Sequence, residues 1–229
     1  MTTTANLKEL FKSGAQDELL MDIYLDEAKL DYQRQRYADA IAKYEELYGA
    51  GEVYIYSAPG RSEIGGNHTD HQNGEVLAAS VNLDAIAIVK PLEENVVKVV
   101  SGNYPMITVS LDDLEMKESE KETTLALIKG VLAGVKNHGG KVGGFQTYIT
   151  SDVLIGAGLS SSAAFETIIG TIVSGLYNDM QISAIDIAII GQYAENVYFG
   201  KPCGLMDQIF GDGACGVLNI RKYGGIQVV

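Results

Sequence analysis

Apolar positions recur at helical spacing from residue 5 to 48, and Tyr37, Ile41, Tyr44 and Tyr48 share one face of the last stretch before Gly49 and Gly51 stop it. Val53–Tyr56 is β-branched and aromatic, the pattern of a strand, which Pro59-Gly60 is expected to close. Residues 60–75 are polar and glycine-rich and predict a loop, with or without a short helix. Strands are expected at 76–82, 85–90, 95–101 and 106–111, followed by an acidic, solvated linker at 112–122. Leu125, Ile128, Leu132 and Val135 then form the stripe of an amphipathic helix ended by Gly139-Gly140. Phe145–Thr150 alternates as a strand, helices are expected over 160–176 and 183–198, and a last strand pair over 215–220 and 225–229. Strands come early and mostly adjacent, helices later, which is an α+β pattern and not a strict βαβ alternation.

Composition narrows the setting. With 229 residues and 46% hydrophobic content, the chain can build a core without disulfide staples. Cys203 and Cys215 make no disulfide framework, and Met1–Leu7 is polar with no apolar run after it, so a reducing, cytoplasmic setting is expected. The longest apolar runs are too short to span a bilayer. A net charge of −13 argues against nucleic acid or an anionic membrane as partner. It also requires that any anionic ligand be held by local devices: a cation such as Arg61, a helix N-terminus or a metal ion. Ile226–Val229 reads as a strand in mid-course, so the chain is expected to be part of a longer one.

Three segments carry the candidate chemistry. Gly156, Ala157, Gly158, Leu159, Ser160, Ser161 and Ser162 lead into an apolar helix, placing glycine backbone and serine hydroxyls at its positive end, where a phosphate would bind. The segment is neither a Walker A loop nor the dinucleotide fingerprint, since no Gly-Lys-Ser/Thr follows and the third glycine is Ser161. Taken alone it is equally a glycine turn with a serine N-cap. The second segment, 57–74, packs Arg61, Glu63, Asn67, His68, Asp70 and His71 into a few residues. Its carboxylate, amide and imidazole groups suit a ligand rich in hydroxyls, although Asn, Asp and Gly are also ordinary turn residues. His68, Asp70 and His71 have a spacing that zinc could use, but the third histidine, His138, lies at a predicted helix end, and a hydrolytic site is hard to complete. In the third segment, 195–208, Glu195 falls near a helix end and Asp207 follows a Pro-Cys-Gly turn. Near a phosphate loop, one carboxylate would ligate Mg²⁺ and the other would orient or deprotonate a hydroxyl; otherwise both are surface charges.

In this order and at this spacing the three segments resemble the GHMP small-molecule kinases, and within them the galactokinases, over roughly residues 50–210. Ala58-Pro-Gly-Arg61 with Gly66-Asn-His-Thr-Asp70 resembles the galactokinase signature, Gly156–Ala164 the shared ATP loop, and Pro202-Cys-Gly-Leu-Met-Asp-Gln208 the segment bearing the catalytic aspartate. The resemblance implies a ribosomal-protein-S5-domain-2-like N-terminal domain, a mixed sheet with packed helices, over residues 51–229. Residues 1–50 would be a helical extension packed on it, and the family's C-terminal ferredoxin-like domain, expected to complete the cleft, would be absent. It implies ATP-dependent phosphorylation of the anomeric hydroxyl of galactose, with Mg²⁺ as cofactor and ATP as co-substrate, and weak activity or none from these residues alone. Asp207 matches the catalytic aspartate, and Arg61 the arginine beside it and the transferring phosphate. His68 and Asp70 match sugar-binding residues, the 156–161 backbone the nucleotide-phosphate cradle, and Ser162 and Glu195 the Mg²⁺ ligands.

The chain departs from this pattern where the family's signature glutamate, expected on the sugar C6 hydroxyl, is Asn67, while Glu63 replaces an asparagine and His71 an aromatic phenol. The two exchanges together suggest that Glu63 returns a carboxylate to the sugar site. They leave open another sugar, such as N-acetylgalactosamine or a pentose, and a non-catalytic sugar and ATP sensor of the same family.

Overall fold

The computed structural model describes all residues except 68, 73–74, 155, 157, 210–214, 222–224 and 229, and gives 71–72, 215–221 and 225–228 as backbone. The chain opens with a short strand β1 (Thr2–Thr3) and three helices, α1 (Thr4–Lys12), α2 (Asp17–Tyr24) and α3 (Leu30–Tyr48). The strands β2 (Glu52–Gly65), β3 (Glu75–Leu92), β4 (Val96–Ser101) and β5 (Ile107–Ser110) follow, then α4 (Thr124–Asn137), β6 (Gly144–Ser151) and α5 (Ser161–Tyr177). Helix α6 (Ala184–Tyr193) runs directly into a π-helical turn (Ala194–Phe199), and α7 (Met206–Ile209), β7 (Cys215–Arg221) and β8 (Gly225–Val228) end the described chain.

The sheet has the order β1-β2-β3-β6-β4-β5, with β7 and β8 continuing from the first half of β3. It is mixed: β4 and β6 run parallel, and the other pairs are antiparallel. The middle of β3 explains the layering, since Ala85, Ile86, Ala87, Ile88 and Val89 are all buried. Ile86 and Ile88 pack with Phe11, Leu20, Tyr24, Tyr37 and Ile41, under α1–α3. Ala85, Ala87 and Val89 pack with Ile128, Leu132, Ile168, Ile172 and Ile190, under α4–α6. A strand apolar on both faces belongs between two helical layers.

Three local expectations change. β2 does not close at Pro59-Gly60 but continues to Gly65. Pro59 stands opposite Asp84 and Arg61 opposite Ser80, so the ladder breaks between them, which is where a residue without an N–H is tolerated. The extra residues 81–83 on the β3 side interrupt its two-residue alternation, which makes one strand read as two. The acidic stretch 112–122 is pinned rather than simply solvated: the buried ammonium of Lys129 donates to Glu120 at 2.9 Å, with Asp113 at 3.9 Å.

Candidate active site

The register break after Pro59 feeds Arg61 into a buried position, 4% exposed, facing the glycine-serine loop. Its backbone N–H donates to the Leu159 carbonyl at 3.2 Å, and its Nη1 donates to the Gly158 carbonyl at 2.6 Å. Nε donates to Asp207 Oδ1 at 2.8 Å, and Nη2 reaches the same oxygen. The other carboxylate oxygen of Asp207 accepts from the Ser160 hydroxyl. One guanidinium thus joins the β2 segment, the loop and α7, which lie far apart in sequence, through charge-assisted bonds.

The loop itself is left-handed at Gly156 (φ 78°), Gly158 (φ 75°) and Ser160 (φ 58°). A Cβ at either glycine would meet open space, so conformation and not crowding within the chain demands glycine there. Ser160 occupies the N-cap position of α5 but makes no cap bond, because its hydroxyl is given to Asp207. That differs from the plain serine cap, and it leaves the positive end of a 17-residue helix without a capping side chain. Ser161 and Ser162 lie on the wall of a cavity of about 460 Å³, whose apolar lining includes Val99, Ile107, Leu127 and Phe165.

Asp70, 3% exposed, accepts from the Met206 N–H at 2.9 Å, so the second segment docks on the residue preceding Asp207. The contact needs Gly204, where a Cβ would lie 1.9 Å from Asp70 Oδ2. Asn67 is exposed and left-handed at φ 53°, a conformation that asparagine tolerates better than glutamate. Glu63 is half-buried two residues beyond Arg61 on an unbroken stretch of ladder, which puts both on one face of β2. His68 and Ala157 lie outside the described residues, as do the side chain of His71 and the Asn73-Gly74 end of the segment.

Glu195, 2% exposed, lies in the π-helical turn, and its Oε2 accepts from Gln208 Nε2 at 3.3 Å. The same amide nitrogen donates to Glu166 Oε2 at 3.3 Å. Glu166 Oε1 and Gln208 Oε1 are buried with no partner among the described residues. Burial first, then the charge of Glu195, hold the Glu166 carboxyl well above the usual carboxylate range. Burial and then Glu195 likewise push the neighbouring Cys203 thiol up. Two buried carboxylates that share one amide nitrogen, with the Cys203 thiol also on Glu195, are rich in acceptor oxygen, the donor chemistry of a hard divalent cation such as Mg²⁺. Among the described residues, no cluster of three or more His, Cys, Asp or Glu stands ready to hold a metal ion.

Comparison with known proteins gives this convergence its family. The model described as the galactokinase galactose-binding signature matches residues 42–91, and that of the GHMP kinases N terminal domain matches residues 126–212. The chain has the GHMP kinase N-terminal fold and matches the N-terminal portion of galactokinases. A Clostridium beijerinckii galactokinase is 33% identical over 188 residues, 79% of this chain and 48% of that protein. One from Clostridium tetani is 32% identical over 164 residues, 71% of this chain and 41% of that protein. The chain therefore spans about half the length of the galactokinases it matches, or somewhat less. A Lactococcus lactis galactokinase, solved as a complex with galactose, superposes with a TM-score of 0.72 at 28% identity, covering 82% of this chain and 50% of that one. A Methanococcus jannaschii mevalonate kinase, at 18% identity and a TM-score of 0.63, shares the fold.

Within this GHMP kinase fold the sequence had not singled out Glu166, Gly204, Gln208 or the apolar cavity. Glu166 left a trace, as the lone carboxylate in the apolar run from Ala163 to Ile172. The cavity left none, because its walls come from five separate stretches of chain.

Proposed function

We propose that the chain forms the ATP- and sugar-binding part of a galactokinase-type enzyme, which transfers the γ-phosphoryl group of ATP to the anomeric hydroxyl of galactose. The observation that carries this reading is the Arg61–Asp207–Ser160 contact, with Asp70 docked one residue away on Met206. The glycine-serine loop and the uncapped start of α5 offer N–H groups to the phosphates, and the adjoining cavity takes the base. Asp70, Asn67, His68 and Glu63 hold the sugar hydroxyls. Asp207 accepts the proton as the C1 oxygen–phosphorus bond forms and the bond to ADP breaks. Arg61 holds the carboxylate in place through its Nε–H bond and faces the charge developing on the phosphoryl oxygens. Ser162 and Glu195 would hold Mg²⁺, which offsets charge on the β and γ oxygens when bound. A further domain, of the kind that makes up the other half of the matched galactokinases, would close over this site, and the cytoplasm is where we place the enzyme.

The left-handed Asn67 and the position of Glu63 favour one variation, in which Glu63 rather than residue 67 supplies the carboxylate to the sugar. A panel of free sugars with MgATP, tested on the whole protein, checks both points. Galactose 1-phosphate as the preferred product supports the reading. Preference for N-acetylgalactosamine or a pentose reassigns the sugar. Binding of sugar and ATP without ADP release makes the protein a sensor.

A further inference from the structure

We infer that Arg36, on the face of the sheet opposite the glycine-serine helix, is a positioning residue that holds the root of the phosphate loop against the strands carrying Arg61. The inference rests on the nucleotide-binding reading above. The Arg36 side chain is 5% exposed and comes from the middle of α3. Its Nη1 donates to Asp84 Oδ1 at 2.6 Å and lies 3.3 Å from Asp152 Oδ2, and its Nη2 donates to the Asp84 carbonyl at 2.8 Å.

The two carboxylates have distinct placements. Asp84 lies on β3 opposite Pro59, beside the register break that turns Arg61 into the site, and its Oδ2 also accepts from Ser57 on β2 at 2.5 Å and Tyr24 on α2 at 2.8 Å. Asp152 immediately follows β6, four residues before Gly156, and its N–H donates to the Asp84 carbonyl at 2.9 Å. The next residue, Val153, packs where a Cβ on Gly60 would meet it at 3.0 Å, so the root of the loop bears on the residue before Arg61. Tyr32 completes the outer side by donating to Asp152 at 2.8 Å, and Tyr37 and Gln33 the inner side, on Tyr24 and Arg36.

Two partly or fully buried carboxylates at a strand end repel each other unless a cation bridges them. The planar fork of arginine satisfies both carboxylates and a backbone carbonyl at once, which an ammonium does not. Loss of the bridge lets the loop root part from β3, while the sugar segment beyond Arg61 stays anchored separately through Asp70 and Met206. The expected signature is therefore selective weakening of nucleotide binding.

The test is calorimetric titration of the whole protein and its variants with ATP and, separately, with galactose. Arg36→Lys keeps the charge and loses the fork. Asp152→Asn removes the negative charge that faces Arg36 at the loop root and leaves the buried Arg36–Asp84 pair in place, so it stays folded if Arg36→Lys does not. Each is expected to raise the Kd for ATP by about tenfold while the Kd for galactose moves less than about threefold. Unchanged ATP affinity in Asp152→Asn, or an equal loss for both ligands, overturns the positioning role and leaves the kinase reading standing. Absence of ATP binding by the unaltered whole protein overturns both.

Discussion

Gly204 shows how narrow the tolerances of the sugar side are. A methyl group there would occupy the place of the Asp70 carboxylate, so Gly204→Ala must displace either Asp70 or the turn leading to Asp207. In the whole protein this substitution is expected to raise the KM for the sugar by about tenfold or more with little change for ATP, as steady-state kinetics would show. Glu166 yields a pH dependence. Its carboxyl is raised above 4.5, so the folded chain keeps a proton that the unfolded chain gives up. The associated stability is fullest below about 4.5 and is lost as pH rises toward the folded value. The Tm advantage of Glu166→Gln over the unaltered chain, measured by thermal melts without metal, should accordingly widen from pH 5 to 8; a constant gap would contradict the assignment. At this scale the sequence singled out Arg61, Asp70, Ser160 and Asp207, because they stand in motifs. It did not reveal whom they touch. Ser160 reads locally as a helix cap, and only the fold brings Asp207, 47 residues away, to its hydroxyl.

Among elements, α4 and the π-helical turn depend on each other most. A Cβ on Gly130 would approach Ala194 Cα at 2.8 Å and Ala194 Cβ at 2.7 Å, so the helix lies directly against the turn that carries Glu195. Gly130→Ala should destabilise the chain by about 1–3 kcal/mol, through overpacking that outweighs the gain in helix propensity, and denaturant melts would measure it. The helices were legible in advance because their apolar stripes are long and bounded by glycines. The β2–β3 pair was less so: Pro59 imitates a strand end, and residues 81–83 break the alternation of β3. Both misreadings fall where the backbone is bent to deliver Arg61.

For the molecule as a whole, charge sets a condition on the proposed nucleotide binding. A net charge of −13 repels a polyanion such as ATP at long range, so the proposed binding relies on local devices, Arg61 and the start of α5. Raising ionic strength from about 10 mM to about 150 mM shortens the screening length from about 30 Å to about 8 Å, so stopped-flow association of a fluorescent ATP analogue should speed up with salt. Binding governed by a basic surface would slow down instead. The sequence pattern reached as far as α+β, and the two helical layers became visible only with the burial of both faces of β3, while the long-range tie from Arg36 to the loop had no local signature. The π-helical turn has a consequence of another kind. Its amides reach back five residues, as the Gly200 N–H does to the Glu195 carbonyl at 2.9 Å, so the helix there holds one residue more than an α-helical turn requires. Deleting a residue between 195 and 199 would restore regular winding but swing the following chain by about 100°. The spare residue is therefore a phase adjustment between Glu195 and Asp207, and descendants of this chain can shed it only by rebuilding the approach to Asp207.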